Sequence, residues 1–138
     1  MASELKVDKF TGVTTAGSID VTGEGNSTTT NLQQGLAKAW INFDGSASGA
    51  AARGSFNLAS MTDTSTGVYV CNLTNAFANT NDCAATSSAS ASTSGSDNRN
   101  ISTTITSTSA IDSRTSNAAS GAVLDAVVNN VSAHGDLA

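Results

Sequence analysis

Apolar side chains recur at every second position over much of this chain, the period of a strand whose two faces meet different surroundings. Over residues 39–44, Ala39, Ile41 and Phe43 share one face, and Trp40, Asn42 and Asp44 the other. Residues 68–74 repeat the pattern, with Tyr69, Cys71 and Leu73 opposite Val68, Val70 and Asn72. Phe56 and Leu58 place another strand at 55–61, with both side chains expected on the same side. That strand should form a hairpin with 68–74 across a turn at 62–67, which ends on Gly67, the residue type best able to supply a positive φ. Ile101, Ile105 and Ile111 share one parity, with Thr103, Ser107 and Ser109 between them, as suits one or two strands with a polar outer face. Residues 123–133 predict the last strand, with Val127, Val131 and Ala133 on a common face. Six to eight short strands in about 100 residues predict an all-β fold, a small antiparallel β-sandwich.

One segment breaks the two-residue period. Residues 31–40 place Leu32 and Leu36 four apart, with Trp40 one turn further on and Thr30 or Asn31 available as N-cap. The expectation is a single short helix of about two turns, too short to be stable alone in water. Its apolar stripe therefore needs a partner, either its own sheet or symmetry mates, and Leu32, Leu36 and Trp40 are the candidates for oligomer packing. Ahead of it, Leu5/Val7 and Ile19/Val21 alternate around a Thr/Gly-rich run at 11–18, and 23–30 reads as a linker of turn-forming residues. The chain thus divides into an extended arm, 1–30, and a helix plus sandwich, 31–138. Leu5, Val7, Ile19 and Val21 are the arm's side-chain anchors for attachment to another surface.

Composition adds a constraint. Leu, Ile, Val and Phe supply 25 of 138 residues, 18 % of the chain, while Ser and Thr supply 40. That apolar fraction falls below the level at which a solitary core is comfortable, yet charged residues make up only 12 %, unlike charged disorder. Pooling small cores between identical chains removes more apolar surface from water, so an oligomer is expected. A net charge of −5 without a basic cluster gives no footprint for nucleic acid. No stretch approaches the roughly 20 apolar residues that span a bilayer, and the expectation is a soluble chain without membrane insertion or secretion signal.

Candidate chemistry is sparse. His134 is the only histidine, and no nucleophile elbow or orienting third group accompanies it. The carboxylates are scattered singly, so a glycosidase-like pair is not encoded locally. Cys71, Cys83 and His134 match no zinc spacing, and two cysteines are too few to define a disulfide framework, so free thiols are expected. Four Asn-x-Ser/Thr sequons, at Asn26, Asn72, Asn100 and Asn130, follow from the abundance of those residues. The reading is a non-enzyme with no cofactor and no metal. Trp40 suits packing better than a sugar platform, and loops at 45–54, 75–82 and 93–99 are the candidates for receptor contacts, because loops on a rigid scaffold vary freely.

A resemblance covers nearly the whole chain. Residues 28–45 (TTTNLQQGLAKAWINFDG), 55–63 (SFNLASMTD) and 66–74 (TGVYVCNLT) resemble, in this order, the terminal modules of tail-fibre and virion surface proteins of marine bacteriophages and cyanophages. The close at 131–138 and the opening Leu5-Lys-Val-Asp8 are similar to theirs as well. Cys71, His134 and Asp82 depart from that pattern, which usually carries Val, Phe and a nearby aromatic there. The resemblance implies a bacteriophage virion structural protein, assembled in the bacterial host cytoplasm. It would be a homotrimeric short tail-fibre or host-adhesion module, in contact with other virion proteins and with a host surface polysaccharide or protein. The alternative is a capsid decoration or fibre-connecting protein with no receptor role.

Overall fold

The structure is a computed structural model that describes residues 4–13, 19–23, 29–92 and 99–136. The expected Thr/Gly-rich run and linker fall largely outside the described residues, as does most of the loop expected at 93–99. In chain order the elements are β1 (Asp20–Thr22), β2 (Thr29–Asn31), α1 (Leu32–Gly35), β3 (Ala37–Asp44), β4 (Ala51–Phe56), β5 (Leu58–Ser65), β6 (Val68–Leu73), β7 (Cys83–Ser90), β8 (Arg99–Ser107), β9 (Ala110–Asn117) and β10 (Val128–Gly135). β1 and β2 pair with each other, and the remaining eight strands form two antiparallel sheets ordered β4-β3-β10-β7 and β5-β6-β9-β8. The sheets pack face to face as the all-β sandwich that the alternation predicts. First and last strands of the sandwich lie side by side, so the chain closes on itself: Ile41 pairs with Val131 and Ala39 with Ala133.

Alternation fixes the core. Ala39, Ile41 and Phe43 of β3, Tyr69, Cys71 and Leu73 of β6, Ile111 of β9, and Val131 and Ala133 of β10 are all buried. Phe43 and Tyr69 meet edge to face across the two sheets, with ring centroids 5.1 Å apart and planes at 70°. Ile105 packs against the same cluster, directly opposite Ile111 in the β8–β9 hairpin. The 55–61/68–74 hairpin is present as β5–β6, turning at Thr66 and Gly67, whose φ is 66°.

Several expectations are corrected. The helix is one turn, Leu32–Gly35, and not the stretch 31–40, because strand pairing to β10 captures the chain from Ala37 onward. Leu32, Leu36 and Trp40 therefore form no helical stripe: Trp40 sits in mid-strand on β3, opposite Phe56 and Ser132. Phe56 and Leu58 do not share a side. Asn57 lies between them with φ 64° and turns the chain from one sheet into the other, leaving Phe56 outside and Leu58 against the core. That left-handed conformation is costly for most residues but tolerated by Asn. The Asn57 side chain donates to the carbonyls of Lys38 and Asn75, each at 3.0 Å, and accepts from the Asn75 backbone N–H at 2.7 Å.

Part of the loop expected at 45–54 is strand β4, and the turn expected at 62–67 is mostly strand, since β5 runs to Ser65. Thr103 pairs with Ser113 on the inner face, not the outer one. The last strand begins at Val128, so Val127 precedes it. Cys71 and Cys83 are free thiols, the first buried.

Candidate functional site

The two ends of the sandwich differ in what they carry. β3 starts, β6 ends, β7 starts and β10 ends at one end. There the connection 74–82 crosses between sheets, and the N-terminal segment joins through α1. Leu32 donates its N–H to the Ile19 carbonyl at 2.8 Å, which ties β1 to the helical turn. The expected arm anchors are thus unlike one another: Leu5, Val7 and Val21 are exposed, the last in a strand pair with Thr30, while Ile19 is half-buried. Phe77, at 1 % exposure, pins the 74–82 connection, and its N–H donates to the Thr108 carbonyl at 2.8 Å.

The opposite end gathers the connections 45–50, 66–67 and 118–127, together with the close of β7 at Ser90 and the start of β8 at Arg99. The loops proposed for receptor contact are therefore split, with 45–50 at this tip and 75–82 at the end that the N-terminal segment joins. A compact polar lock holds the tip. The Tyr69 hydroxyl donates to Asp125 Oδ1 at 2.8 Å, with the Gly45 carbonyl 3.2 Å away. The Gly67 N–H donates to the same carboxylate oxygen at 2.6 Å. Gly45 donates its N–H to the Ala126 carbonyl at 2.9 Å, and the Thr115 hydroxyl donates to the Leu124 carbonyl at 2.7 Å. Gly45 has no room for a side chain, because a Cβ there would collide with the Tyr69 ring and hydroxyl.

Electrostatics follow from this packing. Burial pushes the Tyr69 phenol well above its ordinary range, and the hydrogen bond and negative charge of Asp125 push it the same way. The Ser46 side chain hydrogen-bonds Asp44 at 2.6 Å and holds its carboxyl below the usual value, helped by Arg53 at 2.6 Å. Asp125 escaped sequence reasoning. Its one signal was a single carboxylate inside the otherwise apolar run 123–128.

A second feature is the outer face of the β4-β3-β10-β7 sheet. Cross-strand register aligns Phe56, Trp40, Ser132 and Thr86 in one row, and Gly54, Asn42, Asn130 and Ser88 in the next. Asn42 donates to Asn130 Oδ1 at 2.6 Å, and Asn130 donates to the Ser88 hydroxyl at 3.2 Å. Trp40 walls a shallow groove of about 350 Å³ over these residues. By contrast, His134, Asp82 and Cys83 edge a separate groove, and among the described residues no three His, Cys, Asp or Glu side chains come together to hold a metal ion. No protein-family model, curated protein or solved structure matches the chain.

Proposed function

We propose that the chain is a structural protein of a bacteriophage particle, a short tail-fibre or host-adhesion module that works as a homotrimer. The observation that carries this reading is the polarity of the fold. The N-terminal segment, with Leu5 and Val7 exposed, joins one end, while the connections 45–50, 66–67 and 118–127 gather at the other on the Tyr69–Asp125 lock. A module held to a virion at one end and turned toward a host at the other needs this arrangement. The resemblance of residues 28–45, 55–63 and 66–74 supports it further, since those segments supply β3, β5 and β6 and with them Phe43 and Tyr69. Three copies would present the tip loops in parallel, so that individually weak contacts to a host polysaccharide or protein add up.

Antibody labelling of purified phage particles tests the location, and adhesion of the purified protein to susceptible cells tests the role. Label at the tail together with saturable adhesion, blocked by excess protein, is the expected result. Label at regular capsid positions without adhesion assigns the chain to capsid decoration instead. Absence of the protein from particles overturns the virion reading altogether.

A further inference from the structure

The exposed large hydrophobic side chains among the described residues fall into two groups. Five lie in residues 5–21, and the other three are Leu36, Trp40 and Phe56, with 54 %, 46 % and 51 % of their surfaces exposed. Trp40 and Phe56 are cross-strand neighbours on one sheet face, and Leu36 leads directly into the same strand. An apolar group of this kind on a rigid sheet marks an interaction surface, and Trp is the side chain most enriched at the energetic centre of protein interfaces.

We infer that this outer face of the β4-β3-β10-β7 sheet is covered by a second copy of the chain. Three observations choose that occupant. First, the two rows of the face carry no charge, so a second copy packed on them sets none of its carboxylates against a like charge there, whatever the net charge of −5 on each chain. The Asp44 carboxylate at their end is already neutralised by Arg53. The opposite outer face is built differently, with Asp112 and Arg114 among the threonines of β8, and it belongs in water. Second, the two amides on the covered face are paired through Asn42, Asn130 and Ser88, which leaves only the small hydroxyls of Ser132 and Thr86 to be partnered by a neighbour. Burial beneath a neighbour leaves those amides partnered, which removes the main cost of desolvating them. A sugar would instead have to compete for the same amides. Third, a chain with 18 % Leu, Ile, Val and Phe gains the apolar burial its own core lacks. The inference extends the trimeric part of the proposal above and is independent of where the protein sits in a particle.

Trp40 is the only tryptophan, so its emission reports this face alone. The 138-residue protein is measured by light scattering after size exclusion and by acrylamide quenching of tryptophan emission across a dilution series. The expected result is a multiple of the chain mass with shielded emission, and quenching that rises as dilution dissociates the assembly. Trp40→Ser and Phe56→Ser, each checked by circular dichroism, should weaken association at least tenfold, while Thr104→Lys on the opposite face leaves it unchanged. A monomeric wild type overturns the inference, as does an oligomer in which Trp40 stays freely quenched at every concentration. A monomer whose emission responds to a panel of neutral and acidic bacterial oligosaccharides also overturns it and assigns the face to a glycan. Should either Ser variant misfold, the wild-type quenching series decides alone.

Discussion

The middle of the sandwich and its β7–β8 side are built from different materials. Between β3 and β10 on one sheet and β6 and β9 on the other lie Phe43, Tyr69, Ile41, Ile111 and Val131, each at most 2 % exposed. Along β7 and β8 the inward positions are Ala85, Ser87 and Ala89 facing Ile101, Thr103 and Ile105, and all remain half-buried. Two hydroxyls near this side, Thr103 Oγ1 and Ser113 Oγ, are buried with no hydrogen-bond partner among the described residues. A few large side chains therefore carry the packing, and the Ser/Thr-rich strands close the sheets mainly through backbone pairing, as in the eight-residue β7–β10 ladder. A chain poor in apolar residues can fold this way only by concentrating them.

The comparison breaks first at Phe43. Removing this ring takes away its contact with Tyr69 and opens a cavity, so Phe43→Ala should cost about 3–5 kcal/mol in urea unfolding. A loss below about 1 kcal/mol would mean that the middle is no denser than the edge. Cys71 gives the next largest effect. Burial, with Asp112 adding to it, raises its thiol from 9.0 to about 11. A pKa raised by folding contributes stability that is whole below the unfolded value and is lost as pH climbs through the folded one. Cys71 by itself should account for a loss of about 2–3 kcal/mol between pH 9 and 11, added to the decline from the Tyr69 phenol, which folding also holds above its ordinary range, and Cys71→Val should remove the Cys71 part of the alkaline decline. An unchanged pH profile in the variant sinks the argument.

At the tip, Asp125→Ala strips the Gly67 N–H of its carboxylate partner, leaves the Tyr69 hydroxyl only the Gly45 carbonyl at 3.2 Å, and should cost about 1–3 kcal/mol, read as a lowered melting temperature. Hydrogen exchange at Gly67 should accelerate in the same variant. The smallest effect belongs to the β7–β8 side: Thr103→Val deletes an unpaired buried hydroxyl and should leave stability within about 1 kcal/mol of wild type, shifted upward. A larger loss would show that the hydroxyl has a partner and that this side is packed more tightly than its residues suggest.

Two-residue alternation was enough to read the inward sets Ala39/Ile41/Phe43 and Tyr69/Cys71/Leu73, the β5–β6 hairpin and the sandwich, because side-chain direction in a strand follows from the backbone alone. Alternation stops being informative where the chain changes sheet. At Asn57 one left-handed residue sends Phe56 and Leu58 to different surroundings, and nothing local distinguishes that from a continuing strand. The spacing of Leu32, Leu36 and Trp40 reads equally well as helix or strand. Pairing of Ala37–Phe43 with β10, some ninety residues away, decided between them, because backbone bonds to a neighbour outweigh a two-turn helix that cannot sustain itself. The candidate sites were legible to a similar degree. Sequence identified Trp40 as a large apolar anchor, but only long-range register set Phe56 beside it and Asn130 next to Asn42. Asp125 gained its role only when β9, β10 and the Gly67 turn met at one end, since a lone carboxylate becomes a lock through the donors that the fold brings to it.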